Sequence, residues 1–137
     1  FRNGKAVKGA TKSSYKLVKK DAGAKVLVKV TAKKSGFPKV TAASVAAKVP
    51  AANVKKPTIS GSKKVGKVLK AKKGTWLAPG HKFSYQWFRN GKAVKGATKS
   101  SYKLVKKDAG AKVLVKVTAK KSGFPKVTAG SKAAKIR

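Results

Sequence analysis

Polar and apolar residues alternate along much of this chain. Phe83, Tyr85 and Trp87 stand at every second position, with Ser84 and Gln86 between them, so three rings line one face of a strand. Phe88 projects to the opposite face. Asn90-Gly91 follows, and both residues tolerate the positive φ of a type I′ hairpin turn; Ala93 and Val94 begin the return strand. Tyr102 and Leu104 form another alternating pair. Val113, Val115 and Val117 alternate with Leu114 and Lys116, which predicts valines inward and the lysine outward. Ahead of the aromatics, Pro57-Thr-Ile-Ser60 reads as a short edge strand, where proline is tolerated. Lys64 to Lys72 reads as a lysine-rich strand with Leu69 and Ala71 on one face, and Gly74 turns the chain towards Trp76. The last strand is predicted from about Pro125 through Val127 to Ile136. No window sustains a 3.6-residue apolar period, and the Ala-Ala-Lys runs are too short to hold a helix alone. Short strands between turn signals predict an all-β antiparallel sandwich.

The pattern occurs twice. Phe1 to Ala42 is identical, residue for residue, to Phe88 to Ala129, so each residue has a counterpart 87 positions on. Beyond the block the copies diverge: Ala43 faces Gly130, Val45 faces Lys132, Val49 faces Ile136 and Pro50 faces Arg137. The expected organisation is an incomplete repeat of C-terminal strands at 1–49, a linker at 50–56 and a complete domain at 57–137. The first copy lacks the strands that should cover Val7, Tyr15, Leu17, Val26, Val28 and Val30. Leaving such side chains wet forfeits roughly 2–3 kcal/mol apiece, at about 25 cal/mol per Å² and about 100 Å² each. Complementation of residues 1–49 by another segment or chain is therefore expected.

Charge changes the picture most. Lysine and arginine number 37 against 2 acids, for a formal net charge of +35. A soluble domain usually carries both signs and a net charge of magnitude about 2–8. Self-repulsion on this scale opposes compaction, so counterions or an anionic partner should stabilise the fold. Only Arg2, Arg89 and Arg137 are arginine. Lysine neutralises phosphate but lacks the planar fork that reads guanine edges, so the implied recognition is of charge density, not of sequence. One basic cluster comprises Lys63, Lys64, Lys67, Lys70, Lys72 and Lys73. A second comprises Lys103, Lys106, Lys107, Lys112, Lys116, Lys120 and Lys121. Same-face neighbours on a strand stand about 6.6–6.8 Å apart, inside the Debye length of about 8 Å, so their potentials sum. These thirteen lysines are the candidate polyanion-binding residues.

Trp87-Phe-Arg-Asn-Gly91 resembles the strand-C tryptophan and following hairpin of immunoglobulin-like domains. Asp108-Ala-Gly110 resembles the Asp-x-Gly turn ahead of their strand F. Together with Val65-Gly-Lys, Gly74-Thr-Trp76 and Ser122-Gly-Phe124, the pattern is similar to tandem immunoglobulin-like repeats of Gram-positive, especially actinobacterial, secreted and surface proteins. Both cysteines of the inter-sheet disulfide are missing, and the tyrosine-corner residue is replaced, with Lys112 nearby. The resemblance implies an extracellular or cell-surface spacer, adhesive or ligand-presenting role. Combined with the charge, it implies binding of wall polymers, anionic polysaccharide, DNA or acidic lipid. Two rivals are a structural repeat of an appendage, fibre or phage-like particle and a sequence-nonspecific nucleic-acid-binding protein.

Little else offers chemistry. Asp21 and Asp108, the only acids, occupy equivalent positions, and carboxylates in separate repeats do not converge on one bond; each reads as a turn-capping aspartate. His81, the only histidine, reads as a surface-loop residue in Pro79-Gly-His-Lys82. Cysteine is absent, which removes thiolate chemistry. No enzyme activity, cofactor or metal is expected, and no apolar run approaches a membrane span.

Overall fold

The computed structural model describes all 137 residues. Fourteen strands run β1 (Lys25–Val26), β2 (Lys29–Ala32), β3 (Val40–Ala43), β4 (Ala47–Lys48), β5 (Ala52–Lys55), β6 (Thr58–Ser60), β7 (Val68–Lys72), β8 (Thr75–Leu77), β9 (Lys82–Arg89), β10 (Lys92–Ala93), β11 (Ser101–Lys103), β12 (Lys112–Lys120), β13 (Val127–Gly130) and β14 (Ala134–Lys135). Every pairing is antiparallel, and no α-helix forms.

The Asn90-Gly91 signal becomes the β9–β10 hairpin. Asn90 has φ +46° and Gly91 φ +80°, the pair of positive values a type I′ turn demands. β12 lies along the whole of β9, with Val115 opposite Trp87 and Val117 opposite Tyr85. β13 and β14 pair with the other edge of β12, completing a five-stranded sheet. β7 takes β6 on one side and β11 on the other, so β6 is the edge strand that its proline predicts. The two sheets meet over Leu69, Trp87, Leu104, Val113, Val115, Ala134 and Ile136. Trp87 is fully buried, stacks on Tyr102 at 5.5 Å between ring centroids, and donates its indole N–H to Lys99 O at 2.9 Å. That bond removes the cost of burying its one polar group.

Two segments differ from the sequence reading. The final strand breaks between Gly130 and Ala134, because Ser131 binds Val115 twice: its amide donates to Val115 O and its Oγ accepts from Val115 N–H. Residues 50–56, expected as linker, contain β5, which pairs with β8 through Ala52↔Leu77, Asn53↔Trp76 and Lys55↔Thr75. Asn53 Nδ2 bridges the irregularity there by donating to Lys55 O and Thr75 O.

The first copy keeps the local geometry of the second. β2 pairs β3 as β12 pairs β13, and Thr31–Thr41 matches Thr118–Thr128 at 2.8 and 2.7 Å. Of the six side chains expected bare, Tyr15, Leu17, Val28 and Val30 are exposed, whereas Val7 and Val26 are half-buried. One of its turns is covered. Ala22 and Gly23 are buried, while their counterparts Ala109 and Gly110 are exposed. A methyl group added to Gly23 would stand 3.1 Å from His81 Cε1 and Pro79 Cδ and 3.2 Å from Ala78 Cα. The repeats therefore touch where this glycine turn seats on the Ala78–His81 loop.

That contact corrects the reading of His81 as a surface residue. The ring is buried, packs edge-on against Phe124 at 5.7 Å and places Nδ1 3.2 Å from Pro79 O. Its Nε2 is buried without a hydrogen-bond partner. Sequence reasoning missed this because one part of the cover, the Gly23 turn, lies in the other repeat and another, Phe124, lies far along the chain.

Candidate functional site

Each shared block holds one arginine and one aspartate, and the fold joins them. Asp108 closes the single 3-10 turn Lys106–Asp108, where its Oδ2 accepts the Val105 amide at 2.8 Å, the bond a turn-capping aspartate makes. Arg89, the last residue of β9, donates Nε to Asp108 Oδ1 at 2.5 Å and Nη2 to the Tyr102 hydroxyl at 3.1 Å. Tyr102 donates its hydroxyl to Asp108 Oδ2 at 2.9 Å. Burial pushes the Asp108 carboxyl up, but the Val105 amide, Arg89 and Tyr102 together outweigh it and hold the group below the usual carboxylate range. Burial and the neighbouring carboxylate push the Tyr102 phenol up. Arg2, Tyr15, Val18 and Asp21 repeat the arrangement, with Arg2 Nε 2.6 Å from Asp21 Oδ1. The aspartates are thus more than turn caps: each is a buried hub tying its turn to an arginine, Arg89 at the end of β9 and Arg2 near the start of the chain.

Arg89 and Tyr102 were read in the sequence as one of three arginines and as an alternating aromatic, not as partners of Asp108. A usable signal existed. In a chain that otherwise uses lysine, each block retains one arginine and one acid at a fixed separation.

Both carboxylates are consumed inward by arginine, and these are the only two salt bridges. No lysine has a carboxylate partner.

The structure sorts the thirteen candidate lysines instead of uniting them. Lys70 and Lys72 project from the exposed side of β7, and Lys103 from β11 beside it, giving the three-stranded sheet a cationic outer face. Lys112, Lys116 and Lys120 project from the exposed side of β12, on the outer face of the other sheet. Lys63 and Lys64 line a cleft of about 650 Å³ with Lys135 and Arg137, two residues outside the sequence-derived set. Lys120 and Lys121 line a second cleft, of about 560 Å³, with Lys82 and Lys126. Lys67 lies in the loop before β7, and Lys106 and Lys107 lie in the Asp108 turn. Lys73 is drawn over the Phe83 ring at 4.4 Å. Phe88, on the face of β9 opposite Trp87, is half-buried under Lys116 Nζ at 4.5 Å.

Several lysines oppose one another across strands. Lys112 faces Lys135, Lys120 faces Lys82, and in the first copy Lys25 faces Lys48. Like charges directly opposite destabilise a sheet, and an anion between them reverses the sign.

The architecture and surface define an all-β tandem-repeat chain with an uncompensated lysine exterior. Comparison with protein-family models, with curated proteins and with solved structures finds no match to this chain. No helix is long and apolar enough to cross a membrane.

Proposed function

We propose that this chain is a non-enzymatic, immunoglobulin-like repeat module of an extracellular or cell-surface protein that binds polyanions by charge density. The observation that carries the reading is the fate of the acids. Asp21 and Asp108 are both held by arginines, so nothing within the chain neutralises the lysine surface. The opposed pairs Lys82–Lys120 and Lys112–Lys135 add to it, since each lowers its repulsion by sharing a phosphate, sulfate or carboxylate. The immunoglobulin-like reading draws support from buried Trp87 beneath the facing sheet, the Asn90-Gly91 hairpin behind it and the Asp108-Ala-Gly110 turn leading into β12.

Titration with duplex DNA and with inorganic polyphosphate at several salt concentrations tests the binding reading. The expected result is comparable affinity for both, falling roughly 10³-fold or more between about 50 and 200 mM salt. Strong preference for one DNA sequence, or salt-independent binding, overturns it.

The seating of Ala22-Gly23 on the Ala78–His81 loop favours a second reading, a structural repeat in an extended appendage or fibre. It predicts ordered self-assembly visible by electron microscopy without any polyanion.

A further inference from the structure

The seam between the repeats carries more than the Gly23 contact. The cleft of about 560 Å³ at one end of β9 and β12 holds four lysines of the second repeat, Lys82, Lys120, Lys121 and Lys126. A fifth reaches it from the first repeat: Lys48 Nζ stands 2.8 Å from where a methyl group on Gly123, in the cleft wall, would lie. Lys82 and Lys120 oppose each other directly across the two strands. Neither acid is free to neutralise these ammonium groups, because each is bound by the arginine of its own repeat. The wall behind them is firm. Phe124 is buried, with His81 edge-on to its ring at 5.7 Å and Lys121 Nζ over it at 4.6 Å. The same lysines are tied to both halves of the joint. Lys121 donates to Pro79 O at 3.3 Å, in the loop on which the Gly23 turn seats. Lys48 precedes Val49, whose carbonyl accepts the Gly23 amide at 3.0 Å and whose amide donates to Ala24 O at 2.9 Å. Repulsion between Lys48 and the four facing lysines therefore pushes the repeats apart at this contact.

We propose that this cleft binds a tetrahedral oxyanion, phosphate or sulfate, of the polyanion, and that the bound group clamps the two repeats together. The oxygens of such a group point in several directions, whereas the two of a carboxylate lie in one plane. One oxyanion can thus accept from ammonium groups on different elements, each with three donors to offer. The inference rests on the polyanion reading and adds a consequence to it: ligand held at the seam stiffens the chain. Bound oxyanion meets Lys48 and the second-repeat lysines together only while the joint is closed. Binding therefore favours the closed joint by the difference in affinity between the two states. The chain cannot bridge its repeats with its own acids, and the ligand supplies the missing negative charge.

The test follows native-state amide exchange of the full chain with and without inorganic polyphosphate at matched ionic strength, with overall binding measured alongside by titration. Exchange at Ala24, Val49 and His81 should slow roughly 5- to 150-fold at saturation, the usual range of coupling between a ligand and a conformational equilibrium. Lys48→Gln should abolish that slowing, judged against its own ligand-free rates. Lys70→Gln, on the outer face of the other sheet, should keep it, although each variant removes one charge from the chain. Equal slowing by free inorganic phosphate shows that a single oxyanion suffices, and slowing by polyphosphate alone assigns the site to a group carried on a polymer. Steeply salt-dependent binding with joint exchange unchanged, or slowing that persists in Lys48→Gln, overturns the clamp and leaves the polyanion reading standing. No polyphosphate binding at all overturns both.

Discussion

Gly23 and Gly110 allow the contact between repeats to be weighed against an internal control. They are the same residue in the same turn, at φ +72° and +70°. Replacing either with alanine imposes the left-handed backbone penalty, about 1–2 kcal/mol. At Gly110 the new methyl group meets nothing within 4 Å, so the penalty stands alone. At Gly23 it meets His81 Cε1, Pro79 Cδ and Ala78 Cα at 3.1–3.2 Å. The imidazole can swing aside, but the proline ring and the Ala78 backbone cannot, so overpacking adds about 1–3 kcal/mol. That extra cost falls on the seating of one repeat on the other.

The assay is native-state amide exchange on both variants. Gly23→Ala should accelerate exchange of Ala24 and Val49 beyond any change at their counterparts Ala111 and Ile136 in Gly110→Ala by roughly 5- to 150-fold, and should accelerate exchange of His81, which Gly110→Ala leaves unchanged. Their amides are bonded at the joint, Val49 to Ala24 O and His81 to Ala78 O. Val113, Val115 and Val117 should be unaffected by Gly23→Ala. Equal acceleration at the joint in the two variants would refute the reasoning, because the φ penalty alone would then account for everything.

The remaining predictions concern the buried hub and the lysine faces. Asp108→Asn should destabilise residues 57–137 by about 2–4 kcal/mol in urea unfolding followed by Trp87 fluorescence, since the negative charge is lost and the one remaining oxygen cannot serve both Arg89 and the Val105 amide, leaving the other donor facing an NH2. Because folding holds the Asp108 carboxyl below its unfolded value of about 3.9, its stabilisation should be complete above about pH 5. It should be lost as pH falls through the folded value, a loss that urea midpoints against pH will lack in Asp108→Asn. Arg89→Lys should cost about 1–2 kcal/mol by the same assay, less than a fully buried pair because the side chain is 25% exposed, since one ammonium cannot serve Asp108 and Tyr102 in the same fork. Lys82→Glu should raise the low-salt stability by about 0.5–1 kcal/mol and reduce the salt slope of polyphosphate binding, because it turns the repulsive Lys82–Lys120 pair attractive.

What the sequence revealed was whatever is local. Alternation at Phe83–Trp87 and Val113–Val117 placed the faces of β9 and β12, because the pleat alone sets which side chains share a side. Asn90-Gly91 placed the hairpin, because its φ values are a property of those two residues. The reading failed where an outcome depends on residues distant in sequence. His81 is buried by Phe124 and by a turn in the other repeat, β5 forms because β8 lies beside it, and the final strand breaks where Ser131 grips Val115. The lysine clusters divide between faces for the same reason. Their numbering groups Lys103 with Lys112, but β11 and β12 belong to different sheets, so the two ammonium groups leave on opposite faces.

Charge also explains how the repeats join. A chain with a formal net charge of +35 cannot knit its domains with salt bridges when both carboxylates are bound inside their own repeats. The joint uses what is left: Ala22 and Gly23, small enough to approach the backbone of Ala78, a proline ring, an imidazole and the β5–β8 pairing. Attraction between such groups does not weaken with salt, whereas repulsion between the surrounding lysines does. Raising ionic strength should therefore tighten the joint while releasing any bound polyanion. Opposite responses to salt in one molecule separate the apolar contact from the charged surface. Exchange at Ala24 and Val49 that quickens as salt is added, with no polyanion present, would mean the joint rests on charge after all.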